Sequence, residues 1–74
     1  MAKRWEVKNV KEYEKFPGSF GGEFWLNGKH EGYVDIWKDG DIGGSYPLEE
    51  NGDANGITGD EEKEMHEYLK HYLD

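Results

Sequence analysis

The chain has 74 residues, a formal net charge of −8, eleven aromatic side chains and no cysteine, and its mean hydropathy is −1.09. One domain of this length buries only roughly 60% of the surface its unfolded chain exposes, and neither disulfides nor a zinc site of Cys/His spacing can staple it. The aromatics must therefore supply most of a thin core, to which a homodimer interface would add.

Trp5 and Val7 alternate with Glu6, which predicts a short strand over residues 4–8. Asn9 then stands as an N-cap with Glu12 three residues on. Val10, Tyr13 and Phe16 follow at helical spacing, predicting a helix of one to two turns before Pro17. An uninterrupted strand from 4 to 14 is the competing reading. Residues 18–22 (Gly-Ser-Phe-Gly-Gly) read as a connector, and Glu23-Phe24-Trp25-Leu26 as a strand.

Asn27-Gly28 is a hairpin signal leading into a strand over Gly32–Trp37, and Asp39-Gly40 supplies a second tight turn into Ile42–Tyr46. Gly43-Gly44 weakens this last strand and Pro47 cannot donate to a ladder, so it belongs at a sheet edge. Residues 49–59 are too polar and glycine-rich for a regular element. Thr58 and Glu61 form a second capping box. Met65, Tyr68, Leu69, Tyr72 and Leu73 recur at i, i+3, i+4, i+7 and i+8, as an amphipathic helix requires. The fold class expected is α+β, a single domain over 1–74: a three- to four-stranded antiparallel sheet with a C-terminal helix packed on one face.

Strand alternation gives this sheet two apolar faces. Phe24, Leu26, Val34 and Ile36 take the side that the helix covers, leaving Trp25, Tyr33 and Trp37 opposite. Either Trp5, Phe16 and Phe20 fold over that second face, or a second subunit or partner covers it.

Charge is segregated along the chain, +2 over residues 1–30, −9 over 31–64 and −1 over 65–74. The acidic block comprises Glu31, Asp35, Asp39, Asp41, Glu49, Glu50, Asp53, Asp60, Glu61, Glu62 and Glu64, with only Lys38 and Lys63 among them. Such a surface repels nucleic acid and anionic membranes and attracts basic partners, at rates that fall as salt rises. Gathered on one edge, these carboxylates would imitate DNA phosphates, which come one per roughly 1.7 Å of helix axis.

Other chemistry finds less in the sequence. Asn51, Asp53, Asn55, Gly56 and Glu62 fall at positions 1, 3, 5, 6 and 12 of a calcium-loop pattern, but position 1 lacks its Asp and a strand rather than a helix leads in. His30, His66 and His71 are scattered, the only serines are Ser19 and Ser45, and the Asp39/Asp41 pair sits on a turn. The chain is thus read as a binding protein without catalytic residues, cofactor or metal. No stretch reaches the ~20 apolar residues of a membrane span, and the first six residues lack the apolar core of a signal peptide, which predicts a soluble cytoplasmic protein.

In size, charge and lack of cysteine the chain resembles, as a class and through no shared motif, phage-encoded inhibitors of host nucleoid proteins, restriction or CRISPR nuclease complexes and RNA polymerase. That resemblance implies a DNA-mimic inhibitor in the host cytoplasm. Its partner would be a basic nucleic-acid-binding protein, held by the eleven carboxylates and by Trp25, Tyr33 and Trp37. Two alternatives are a calcium-binding module on Asn51–Glu62 and an assembly protein that binds through the aromatic face.

Overall fold

The computed structural model describes residues 3–49 and 55–73. Four strands, β1 (Trp5–Glu12), β2 (Phe20–Leu26), β3 (Lys29–Ile36) and β4 (Ile42–Ser45), precede the helix α1 (Gly59–Leu69), which closes in a 3₁₀ turn over Lys70–Leu73. Each strand pairs antiparallel with its neighbour in chain order, giving one open meander with β1 and β4 at its edges. The α+β class holds, as does the edge position of the glycine-weakened β4. No described helix is long and apolar enough to cross a membrane.

The turns follow from their residues. Asn27 and Gly28 both have positive φ, 52° and 81°, the pairing that joins two twisted strands without splaying them. At the second turn Gly40 takes φ 101° and donates its N–H to the Trp37 carbonyl at 2.8 Å. Thr58 caps α1 as its sequence predicts: its hydroxyl accepts from the Glu61 N–H, and the Glu61 carboxylate accepts from the Thr58 N–H.

The N-terminal segment differs from the helical expectation. β1 runs unbroken to Glu12, and Asn9 is not a cap but a left-handed residue (φ 56°) at a bulge between Lys8 and Lys11. The extra residue shifts the pleat by one. Val7 and Val10 therefore both pack on the core although they stand three apart. A bulged strand thereby reproduces the i, i+3 spacing of a helix, and pairing with β2 decides the matter. β2 in turn begins earlier than expected, at Phe20, and takes in Gly21 and Gly22.

The core lies between the sheet and α1. Trp5, Phe24, Leu26, Val34, Ile36, Ile57, Met65 and Leu69 are each at most 4% exposed. Ile57 was part of the segment read as irregular loop. It makes a parallel bridge with Leu48, donating to the Pro47 carbonyl and accepting from the Glu49 N–H, which ties the segment after β4 to the start of α1.

One ionic clamp closes this side. The Arg4 guanidinium grips the Glu61 carboxylate with two nitrogens, one at 3.1 Å from Oε2 to Nε, and reaches the Gly56 carbonyl at 3.2 Å. Arg4 holds the Glu61 carboxyl below its ordinary range, and the Thr58 backbone N–H acts the same way against the desolvation that opposes it.

Candidate functional site

The sheet face turned away from α1 is open. Tyr33 and Asp35 in β3, and Trp37 directly after its end, are successive odd residues on this face, while Val34 and Ile36 are sealed beneath α1. Tyr33 is 54% exposed and Trp37 half-buried.

Trp37 is braced from the N-terminal side. After β1 the chain folds back through Tyr13 and Phe16, whose rings lie 5.9 and 5.6 Å from the Trp37 indole, the second edge to face. Tyr13 crosses β2 directly over Gly21, where a Cβ would meet its ring, and its hydroxyl donates to Asp35. That bond, together with burial, pushes the Tyr13 hydroxyl up to about 12. Of the three residues expected as a cover for this face, Phe16 alone serves. Trp5 packs edge to face with Tyr68, and Phe20 packs with Tyr72, both on the α1 side.

The turn beyond β3 is closed by its own bonds. The Trp37 N–H donates to the Asp41 carbonyl at 2.8 Å, and the Asp41 N–H to Asp39 Oδ1 at 3.0 Å. The Lys38 N–H donates to the buried hydroxyl of Ser19 at 2.9 Å, tying the turn to the start of β2. Ser19, Trp37, Lys38, Asp39 and Asp41 thus enclose an open cleft of about 680 Å³. Asp39 and Asp41 are exposed at its rim.

Trp25 shares the face but is already engaged. His30 stacks on its indole at 5.5 Å, the Lys8 ammonium lies 4.2 Å from the ring centre, and its N–H donates to Glu23 at 3.0 Å. The Glu23 carboxylate also accepts from Asn9, and these two bonds hold its pKa below the ordinary range.

The eleven carboxylates are divided among different places. Asp35, Asp39 and Asp41 share the end of β3 and its turn. Glu31 is exposed near the start of β3, Glu49 after β4, and Asp60 and Glu64 on α1. Glu61 is held by Arg4, and Glu62 accepts from the Tyr46 hydroxyl at 2.7 Å. That hydroxyl also meets His66 Nε2 at 2.9 Å. With its single proton given to Glu62, it accepts from the imidazole, which fixes a proton on Nε2.

Glu50 and Asp53 lie outside the described residues, as do Asn51 to Ala54 of the calcium-type loop. Among the described residues no three His, Asp or Glu side chains are grouped to hold a metal ion, and the last position of that loop, Glu62, is the partner of Tyr46.

The sequence points to Phe16 as a cover for this face, whereas it gives Tyr13 and Ser19 no role there. Tyr13 and Phe16 stood in a segment read as helical, and nothing local marks Ser19 as the anchor of a turn 19 residues away. The sequence signal that does locate the face is the Tyr33-x-Asp35-x-Trp37 alternation. No protein-family model matches the chain, and neither the curated proteins nor the solved structures yield a match.

Proposed function

We propose that the protein is an acidic binding protein that captures a basic, nucleic-acid-binding protein, in the manner of a DNA-mimic inhibitor. The partner docks on the open sheet face at the end of β3. One observation carries this reading. Aromatic side chains and carboxylates alternate there on a face that α1 leaves bare, and among the described residues the carboxylates of the turn belong to no internal ion pair.

The arrangement suits two tasks. The net charge of −8 draws a cationic surface in from a distance and repels nucleic acid itself. Tyr33 and Trp37 then supply apolar contact area at short range, the kind of residue on which interface energy concentrates. Glu61 and Glu62 are spent inside the fold, so the carboxylates that stand in for phosphates are Asp39 and Asp41, with Glu31, Glu49, Asp60 and Glu64 adding to the long-range field.

The test is capture from bacterial lysate with the tagged protein, washed in low and then high salt. The expected result is one dominant DNA-binding protein, released by salt and displaced by added duplex DNA. A salt-resistant partner that ignores DNA would overturn the reading and point to assembly through the aromatic face.

A further inference from the structure

We infer that the Trp37 cleft is a receptor for a single arginine side chain of a basic partner. The inference rests on the binding role proposed above and names the chemistry recognised there.

The cleft presents an aromatic plane and two carboxylates. The indole of Trp37 packs against the rings of Tyr13 and Phe16, so its position is set before anything binds. Asp39 and Asp41 are fixed to the same turn by the Asp41 N–H bond and the Trp37–Asp41 backbone bond. Among the described residues no cation lies within 4.0 Å of either carboxylate. Lys38, the one basic residue on the cleft, runs its stem along Gly18, where an added Cβ would stand 3.2 Å from Lys38 Cδ.

A guanidinium meets these features together. Its flat face stacks on the indole while its in-plane N–H groups reach carboxylates at the rim. An ammonium has the charge but neither the plane nor the fork. An apolar side chain would strip water from Asp39 and Asp41 and return no hydrogen bond. Phosphate would meet two carboxylates and is repelled. A cleft of about 680 Å³ holds one such side chain with the backbone that carries it.

The experiment is a nitrogen–proton correlation titration of the full chain, whose three indole N–H signals report separately on Trp5, Trp25 and Trp37. The probes are a glycine-spaced peptide with three arginines, its lysine counterpart and its citrulline counterpart, which keeps the shape and loses the charge. The arginine peptide should move the Trp37 signal in a saturable way and leave Trp5 unmoved. The lysine peptide should bind more weakly, and the citrulline peptide should have no effect.

The D39N/D41N variant keeps the turn, since an amide oxygen still accepts the Asp41-type N–H bond. It should weaken the arginine peptide about tenfold, equivalent to ~1.4 kcal/mol for two rim contacts. Trp37→Leu, with signal dispersion confirming its fold, should lose the preference for arginine over lysine.

An equal response to arginine and citrulline, a response confined to Trp25, or unchanged affinity in D39N/D41N would each overturn the inference. Those outcomes leave capture of a basic protein standing if the lysate partner still elutes with salt. A salt-resistant partner alongside a selective Trp37 response would instead remove the DNA-mimic role and leave the arginine receptor.

Discussion

The two faces of one sheet use aromatic residues in opposite ways. Beneath α1, Trp5 and Phe24 are within 3% of complete burial and pack with Tyr68 and Tyr46 in the core. On the other side Tyr33 and Phe16 are each 54% exposed, and the rings are interleaved with Asp35, Asp39 and Asp41. β3 alone sends Val34 and Ile36 to one face and Tyr33 and Asp35 to the other, so the difference comes from the pleat and from the one α-helix among the described residues that covers it. A chain of 74 residues has enough helix for one face. The uncovered face keeps its position through braces, Tyr13 on Asp35 and Ser19 on the Lys38 N–H, in place of burial.

Truncation is the strongest way to break that comparison. Phe24→Ala, at a fully buried site touching Tyr46, should cost about 3–5 kcal/mol and leave the domain largely unfolded. Trp37→Ala removes a larger ring but a half-buried one, and about 1–2 kcal/mol is expected from its lost ring contacts and area. Denaturant titration of the two variants checks the contrast. Equal losses would mean that the open face is core by another name.

Acid separates the faces next. Arg4 holds Glu61 below its ordinary pKa, so the carboxylate favours the folded state when ionised. Its contribution is complete above the unfolded value, near 4.3, and is lost as pH falls through the lower folded value. Glu61→Gln should therefore lower stability at neutral pH and flatten the acid limb, as followed by thermal melts across pH. A charge reversal at Glu61 would damage the fold before it tested any partner, which makes Asp39 and Asp41 the sites at which to probe binding.

Much of the sheet and helix was legible because local chemistry and global fold agree there. Asn27-Gly28 and the Thr58/Glu61 capping box specify their geometry within four residues, and Met65 and Leu69 keep the helical period. The first segment reads as helix or as strand, and the strand is what forms, because a β-bulge at Asn9 places Val7 and Val10 three apart on one face, which local periodicity cannot tell from a helix. The same ambiguity hid Tyr13 as a brace of Trp37, since it acts only once the chain folds back over Gly21, while Phe16 was already expected on this face. Ile57 was lost in a glycine-rich stretch because its bridge partner Leu48 lies beyond a polar loop. The open face could be read from the alternation in β3. The splitting of the carboxylates could not, since it depends on which of them Arg4, Tyr46 and Tyr13 claim.

Alkaline titration sharpens the comparison from the open side. The bond to Asp35 and burial raise the Tyr13 hydroxyl to about 12, so this brace favours the folded state with the proton on. Its contribution is complete below the unfolded value near 10 and is lost as pH rises through about 12. Burial and Glu62 raise Tyr46 as well, and Tyr68 raises Tyr72. Tyrosinate absorbance should therefore show a late component from several residues in the native protein, and Tyr13→Phe should reduce its amplitude by one tyrosine without abolishing it. If Tyr13→Phe also leaves the Trp37 indole signal unmoved, the brace does not position the site.

The smallest expected change in stability carries the most about function. Tyr33 is exposed on the open face two same-face positions before Trp37, outside the cleft lining, and among the described residues no ring packs on it. Tyr33→Ser should stay within about 0.5 kcal/mol of the parent in a denaturant melt, as surface substitutions do. If the face is a binding surface, the same substitution should weaken capture of the partner several-fold, because a half-exposed tyrosine on that face contributes contact area once a partner closes over it. Were stability to fall by more than 1 kcal/mol, Tyr33 would be structural. Were stability and capture both unchanged, the contact surface would end at Trp37, and β3 would contribute its turn but not its length.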